Sequence, residues 1–77
     1  MYKVSNLAKT ISQFKILNHL DTYYPSLVDN LTLVELISKN EVKIKDQSEA
    51  VYISYDEKES EITILDEKKV FCRKERV

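Results

Sequence analysis

The hydrophobic pattern changes period once along the chain, near residue 40, and that change limits the fold more than any single motif. Before it, Val4, Leu7, Ala8, Ile11, Phe14, Leu17 and Leu20 recur at spacings of three and four, as on an amphipathic helix. After it, Val42 and Ile44 alternate with Lys43 and Lys45, and Val51, Ile53 and Tyr55 with Tyr52 and Ser54. Ile62 and Ile64 then alternate with Glu61 and Thr63, and Val70 and Cys72 with Phe71 and Arg73. Alternating runs rich in β-branched and aromatic residues form strands buried on one face. The expected class is α+β: a long N-terminal helix and a short second helix packed on a four-stranded antiparallel meander.

In the helical half, Val4 to Phe14 share one face at 100° per residue, whereas Ile16, Leu17, Leu20 and Tyr24 point to a rotated face. Either one helix is buried on several sides, or it breaks near Thr10–Ser12, where Thr10-Ile11-Ser12-Gln13 reads as a capping box. One helix over about 5–22 is the reading taken. Proline pushes Tyr24 out of the helical region, and Pro25 can open a single turn through Asn30. Thr32-Leu33-Val34-Glu35 reads as a second capping box, predicting a helix over about 32–39 that Asn40 ends in the left-handed conformation. The expected core is Leu7, Ile11, Phe14, Leu17, Leu20, Leu33, Leu36, Ile37, Val42, Ile44, Val51, Ile53, Ile62, Ile64 and Val70.

The chain has 77 residues and no glycine. Average usage, roughly 7 %, would supply about five. A P-loop, a dinucleotide fingerprint, an EF-hand loop and a nucleophile elbow all need glycine, for positive φ or close backbone approach, so none is present. The turns must be built otherwise. Each link between the alternating runs begins with Asp, at Asp46, Asp56 and Asp66. Asp favours type I turns, through a side-chain bond to the backbone two residues on.

Length, charge and cysteine narrow the field further. Residues 1–77 are expected to form one small domain, helical over about 4–40 and β over about 41–74. A single Cys allows no intrachain disulfide, and with a single His it allows no Cys/His zinc cage. The net charge of −1, from 12 bases and 13 acids, provides no general field for polyanions. No apolar run reaches the length of a membrane span and no signal-peptide core is visible, so a cytoplasmic setting is expected. Asn30-Leu31-Thr32 matches a glycosylation sequon, but Thr32 is already read as a helix cap.

No constellation for catalysis stands out. Cys72 is in phase with Val70 and is expected to face the core as a small hydrophobe, not to act as an accessible thiolate. His19 lies on a helix edge with no second ligand in view, and reads as solvated or hydrogen-bonded. Asp56, Glu57, Glu59 and Glu61 gather at a wet hairpin tip, where no apolar pocket raises a carboxyl pKa. Neither a cofactor nor a metal is expected.

Two interaction readings remain. The sheet face away from the helices is expected to show Tyr52, Leu65 and Phe71, with Arg73 beside them, and aromatic residues on a polar face suit protein contacts. This favours a non-enzymatic module that regulates, inhibits or adapts a larger cytoplasmic protein, with self-association through that face or a strand edge. Size and composition suit a phage or mobile-element protein. The alternative is nucleic-acid contact through Lys43, Lys45, Lys69, Arg73, Lys74 and Arg76. Ile11-Ser12-Gln13-Phe14-Lys15-Ile16-Leu17-Asn18-His19-Leu20 and Leu31-Thr32-Leu33-Val34-Glu35-Leu36-Ile37, followed by two alternating runs, resemble parts of a winged helix. That resemblance implies a DNA-binding regulator whose wing is the 41–56 hairpin. The strand pattern that starts straight after Asn40 leaves no room for a separate recognition helix.

Overall fold

The computed structural model describes residues 3–47, 49–67 and 72–77. A 3-10 turn, Val4–Leu7, leads into helix α1, Ile11–Tyr23, and a short helix α2, Pro25–Asp29. Five strands follow: β1 Leu33–Ser38, β2 Glu41–Lys45, β3 Ala50–Asp56, β4 Glu61–Asp66 and β5 Cys72–Arg76. They form one antiparallel sheet in sequence order, β1-β2-β3-β4-β5. The class is α+β, as the pattern implies, with five strands where four are expected. Among the described residues, no helix is long and apolar enough to cross a membrane.

The N-terminal helix breaks at Thr10. Thr10 accepts from the Gln13 amide at 3.1 Å, and the Gln13 side chain accepts from the Thr10 amide at 3.2 Å, so the capping box starts α1 there. Upstream, the Asp21 carboxylate accepts from the Val4 and Ser5 amides, each at 3.0 Å, and folds the 3-10 turn back against α1. Residues 4–8 therefore do not share the period of α1. Its buried face runs through Ser12, Gln13, Ile16, Leu17, His19 and Leu20. Ile11 and Phe14 are 77 % and 48 % exposed, and Leu7 is exposed as well, so these three leave the expected core. Pro25 opens the single helical turn that the sequence allows, and its Val28 is buried.

The segment expected as a helix over 32–39 is instead the edge strand β1. The Thr32 amide donates to the Lys45 carbonyl at 2.7 Å, and its hydroxyl donates to the same oxygen at 3.1 Å, so Thr32 starts a ladder and caps nothing. A helix this short is marginal alone. The neighbouring β2 offers a full set of partners, and Val34 and Ile37 suit a pleated surface. Val34 and Leu36 pack on the core, while Leu33 and Ile37 are exposed. The register shifts between Leu36 and Ser38, a bulge at Ile37. Asn40 caps no helix; its side chain and carbonyl bond the Tyr55 backbone and extend the β2-β3 ladder.

The core lies between the helices and one sheet face. It joins Val4, Ile16, Leu17, Leu20 and Val28 to Val42, Ile44, Ile53, Tyr55 and Ile62. Leu36, Val51 and Ile64 pack at its margin. Val70, expected there, lies outside the described residues.

The links that begin at Asp46 and Asp56 behave as Asp-led turns, and the link after Asp66 runs into residues 68–71, outside the described residues. Asp56 accepts from the Lys58 amide at 2.9 Å, and Asp46 from the Glu49 amide at 3.0 Å. Between β3 and β4 the loop closes through Ser60 at φ 50°, the one positive φ among the described residues. A chain without glycine has placed serine where the left-handed conformation is required.

Candidate interaction surface

Because directly opposed residues in an antiparallel sheet share a face, the register sorts every strand side chain. One row crosses all five strands on the side away from the helices: Glu35, Lys43, Tyr52, Leu65 and Cys72. A parallel row holds Glu41, Ser54, Thr63 and Lys74, and a third holds Asp56, Glu61 and Arg76. Lys45 lies on the same side, opposite Leu33 and Ala50.

Tyr52 and Leu65 are thus direct cross-strand neighbours at the centre of this face, each half-buried by its surroundings. The Lys43 ammonium sits 5.4 Å from the Tyr52 ring centroid. Such a contact contributes about 0.5–1 kcal/mol at an exposed site and holds the ring against the sheet. The four interstrand steps, about 4.8 Å each, and five residues at about 3.4 Å give a face of about 19 by 17 Å. A flat surface of that extent suits a protein contact, not the enclosure of a small molecule.

The other expected contact residues divide. Arg73 faces the helices: it lies opposite Ile64, and its Nε bonds Glu75 at 2.7 Å. It joins neither Tyr52 nor the cations of the open face. Lys43, Lys45, Lys74 and Arg76 do share that face, interleaved with Glu35, Glu41 and Glu61. Phe71 and Lys69 lie outside the described residues. Cys72, expected in the core, is exposed at the end of the Tyr52 row, because β5 runs in the opposite phase and turns Arg73 and Glu75 inward.

That phase builds a polar cluster which sequence reasoning missed. His19, only 6 % exposed, has Nε2 2.7 Å from Glu75 Oε1, and the Tyr24 hydroxyl and Arg73 Nε donate to Oε2. Burial alone would raise the Glu75 pKa. The hydrogen bonds from Tyr24 and His19, together with the Arg73 charge, outweigh it and hold the carboxyl below its ordinary value. The same bond to Glu75, followed by burial, raises the Tyr24 phenol. The cluster ties the C-terminal edge strand to α1 and the start of α2. Its signal was an acid in phase with Arg73 on a strand whose inward residues were read as Val70 and Cys72.

Among the described residues, no group of three His, Cys, Asp or Glu side chains could hold a metal ion. The chain matches no protein-family model, and no curated protein or solved structure is significantly similar to it. The functional reading therefore stands on the geometry of this face.

Proposed function

We propose that the chain is a small non-enzymatic interaction module that regulates, inhibits or adapts a larger protein, with the uncovered sheet face as its contact surface. The observation that carries this is the placement of Tyr52 and Leu65 side by side at the centre of that face, ringed by charges of both signs. An apolar centre with an aromatic anchor and a polar rim is the usual anatomy of a protein interface. The mixed rim suits a partner surface carrying both charges. The self-association reading draws on the strand edges. Arg73, Lys74, Glu75 and Arg76 blunt β5, whereas β1 offers Leu33 and Ile37 with Glu35 between them.

A second reading, nucleic acid on the same face, is supported by Lys43, Lys45, Lys74 and Arg76 around Tyr52. It no longer draws on the winged-helix resemblance, since residues 33–38 are a strand. Capture from host lysate by the tagged chain, with and without nuclease, separates the two. A bound protein that survives nuclease supports the module. Loss of all bound material on nuclease treatment supports the second reading.

A further inference from the structure

On the opposite side of the sheet, the described residues leave a gap in the helix-covered face. Leu20, Tyr24, Leu27, Ile44, Val51, Ile53 and Ile64, with Arg73, line a slot of about 160 Å³. Leu20, Ile44 and Ile53 are fully buried and form its floor, while Leu27, Val51 and Ile64 are half-buried walls. Arg73, 57 % exposed, stands at the rim.

We propose that this slot binds a small aryl or alkyl carboxylate, its apolar group inside and its carboxylate on the Arg73 guanidinium. An apolar cavity of about 150 Å³ accommodates benzene, so the volume suits one phenyl ring or a chain of similar bulk. The wall is hydrocarbon apart from Tyr24 and Arg73, and the Tyr24 hydroxyl is committed to Glu75. A polar ligand atom must therefore lie at the rim, where Arg73 is the donor among the described residues. Glu75 takes the Nε hydrogen at 2.7 Å and so orients the guanidinium, leaving the Nη fork to meet a carboxylate. The negative charge of Glu75 is already met by Tyr24, His19 and Arg73. Asp66, on the same face two positions along β4 from Ile64, has an interaction of its own. The site is separated from the Tyr52 face by the sheet itself, so the two readings stand or fall independently.

Methyl NMR with 3-phenylpropionate and its neutral analogue 3-phenylpropan-1-ol tests the proposal. Both should shift the Leu27, Val51 and Ile64 methyls and leave Leu65, on the far face, in place. The acid should bind up to about five-fold more tightly than the alcohol, the advantage of one ion pair at an exposed rim. Arg73→Gln should remove that advantage and leave the alcohol unchanged. Val51→Phe, which fills the slot, should abolish both. Absence of shifts in the folded wild type up to the solubility limit overturns the site. So do shifts that appear equally at Leu65. Equal affinity for acid and alcohol, or an advantage that survives Arg73→Gln, overturns the carboxylate assignment.

Discussion

Glu75→Gln removes one charge from the cluster and keeps its shape. In the native protein the carboxylate, 14 % exposed, receives Tyr24, His19 and Arg73. His19 can adapt to an amide by changing tautomer, because a neutral imidazole also accepts. Tyr24 and Arg73 lose a charged acceptor, and Arg73 contributes little because its side chain is largely in water. Hydrogen bonds to charged groups contribute about 1.5–3 kcal/mol each, so the expected loss is about 2 kcal/mol. For a chain of 77 residues, total stability is about 4–12 kcal/mol. The midpoint of a circular-dichroism melt at pH 7 should then fall by about 8–16 °C. The pH dependence carries a second check. The folded carboxyl pKa lies below its ordinary value of 4.5, so its contribution is full well above that value and is lost as pH falls through the folded pKa. The gap between wild type and variant should close in that acid range. A midpoint change under about 4 °C at pH 7, or a gap that persists undiminished in acid, would refute the role given to Glu75.

Other substitutions probe the remaining joints of the fold. Ser60→Gly relieves the positive φ at the β3-β4 turn and should stabilise by about 0.5–1 kcal/mol in urea unfolding. Thr10→Ala removes the cap that starts α1 and should cost about 1 kcal/mol by the same measurement. Ile53→Ala opens a cavity in the buried core and should cost about 2–4 kcal/mol, whereas Ile11→Ala, at an exposed position, should change stability by less than about 0.5 kcal/mol. Equal costs for the two isoleucines would contradict the phase assigned to α1.

The two halves of the chain were unequally legible. In the second half, Val42, Ile44, Ile53 and Ile62 face the core as their alternation implies, and the turns led by Asp46 and Asp56 form as their chemistry requires. In the first half, two stretches read as helix were misplaced for physical reasons. The apolar spacing from Val4 to Phe14 spans the junction between the 3-10 turn and α1, so it implied a face that no helix possesses. Thr32 to Ser38 combines a capping-box sequence with β-branched residues, and the choice was made by a partner strand that begins after two intervening residues. At the candidate surface, Tyr52 and Leu65 were found by alternation alone. Arg73 was not, because a charged residue facing the helices is intelligible only once Glu75, His19 and Tyr24 are seen to receive it.

The central claim, that the open sheet face is the contact surface, is tested most directly by quantitative capture with Tyr52→Ala/Leu65→Ala beside Phe14→Ala, an exposed residue on the helical side. Truncating an aromatic anchor typically costs 2 kcal/mol or more in binding. The account predicts a nuclease-resistant protein partner whose affinity falls at least about ten-fold in the double variant and is unchanged in Phe14→Ala, with both variants retaining the wild-type circular-dichroism spectrum. Equal capture by all three proteins, or no protein captured by the wild type, would contradict it.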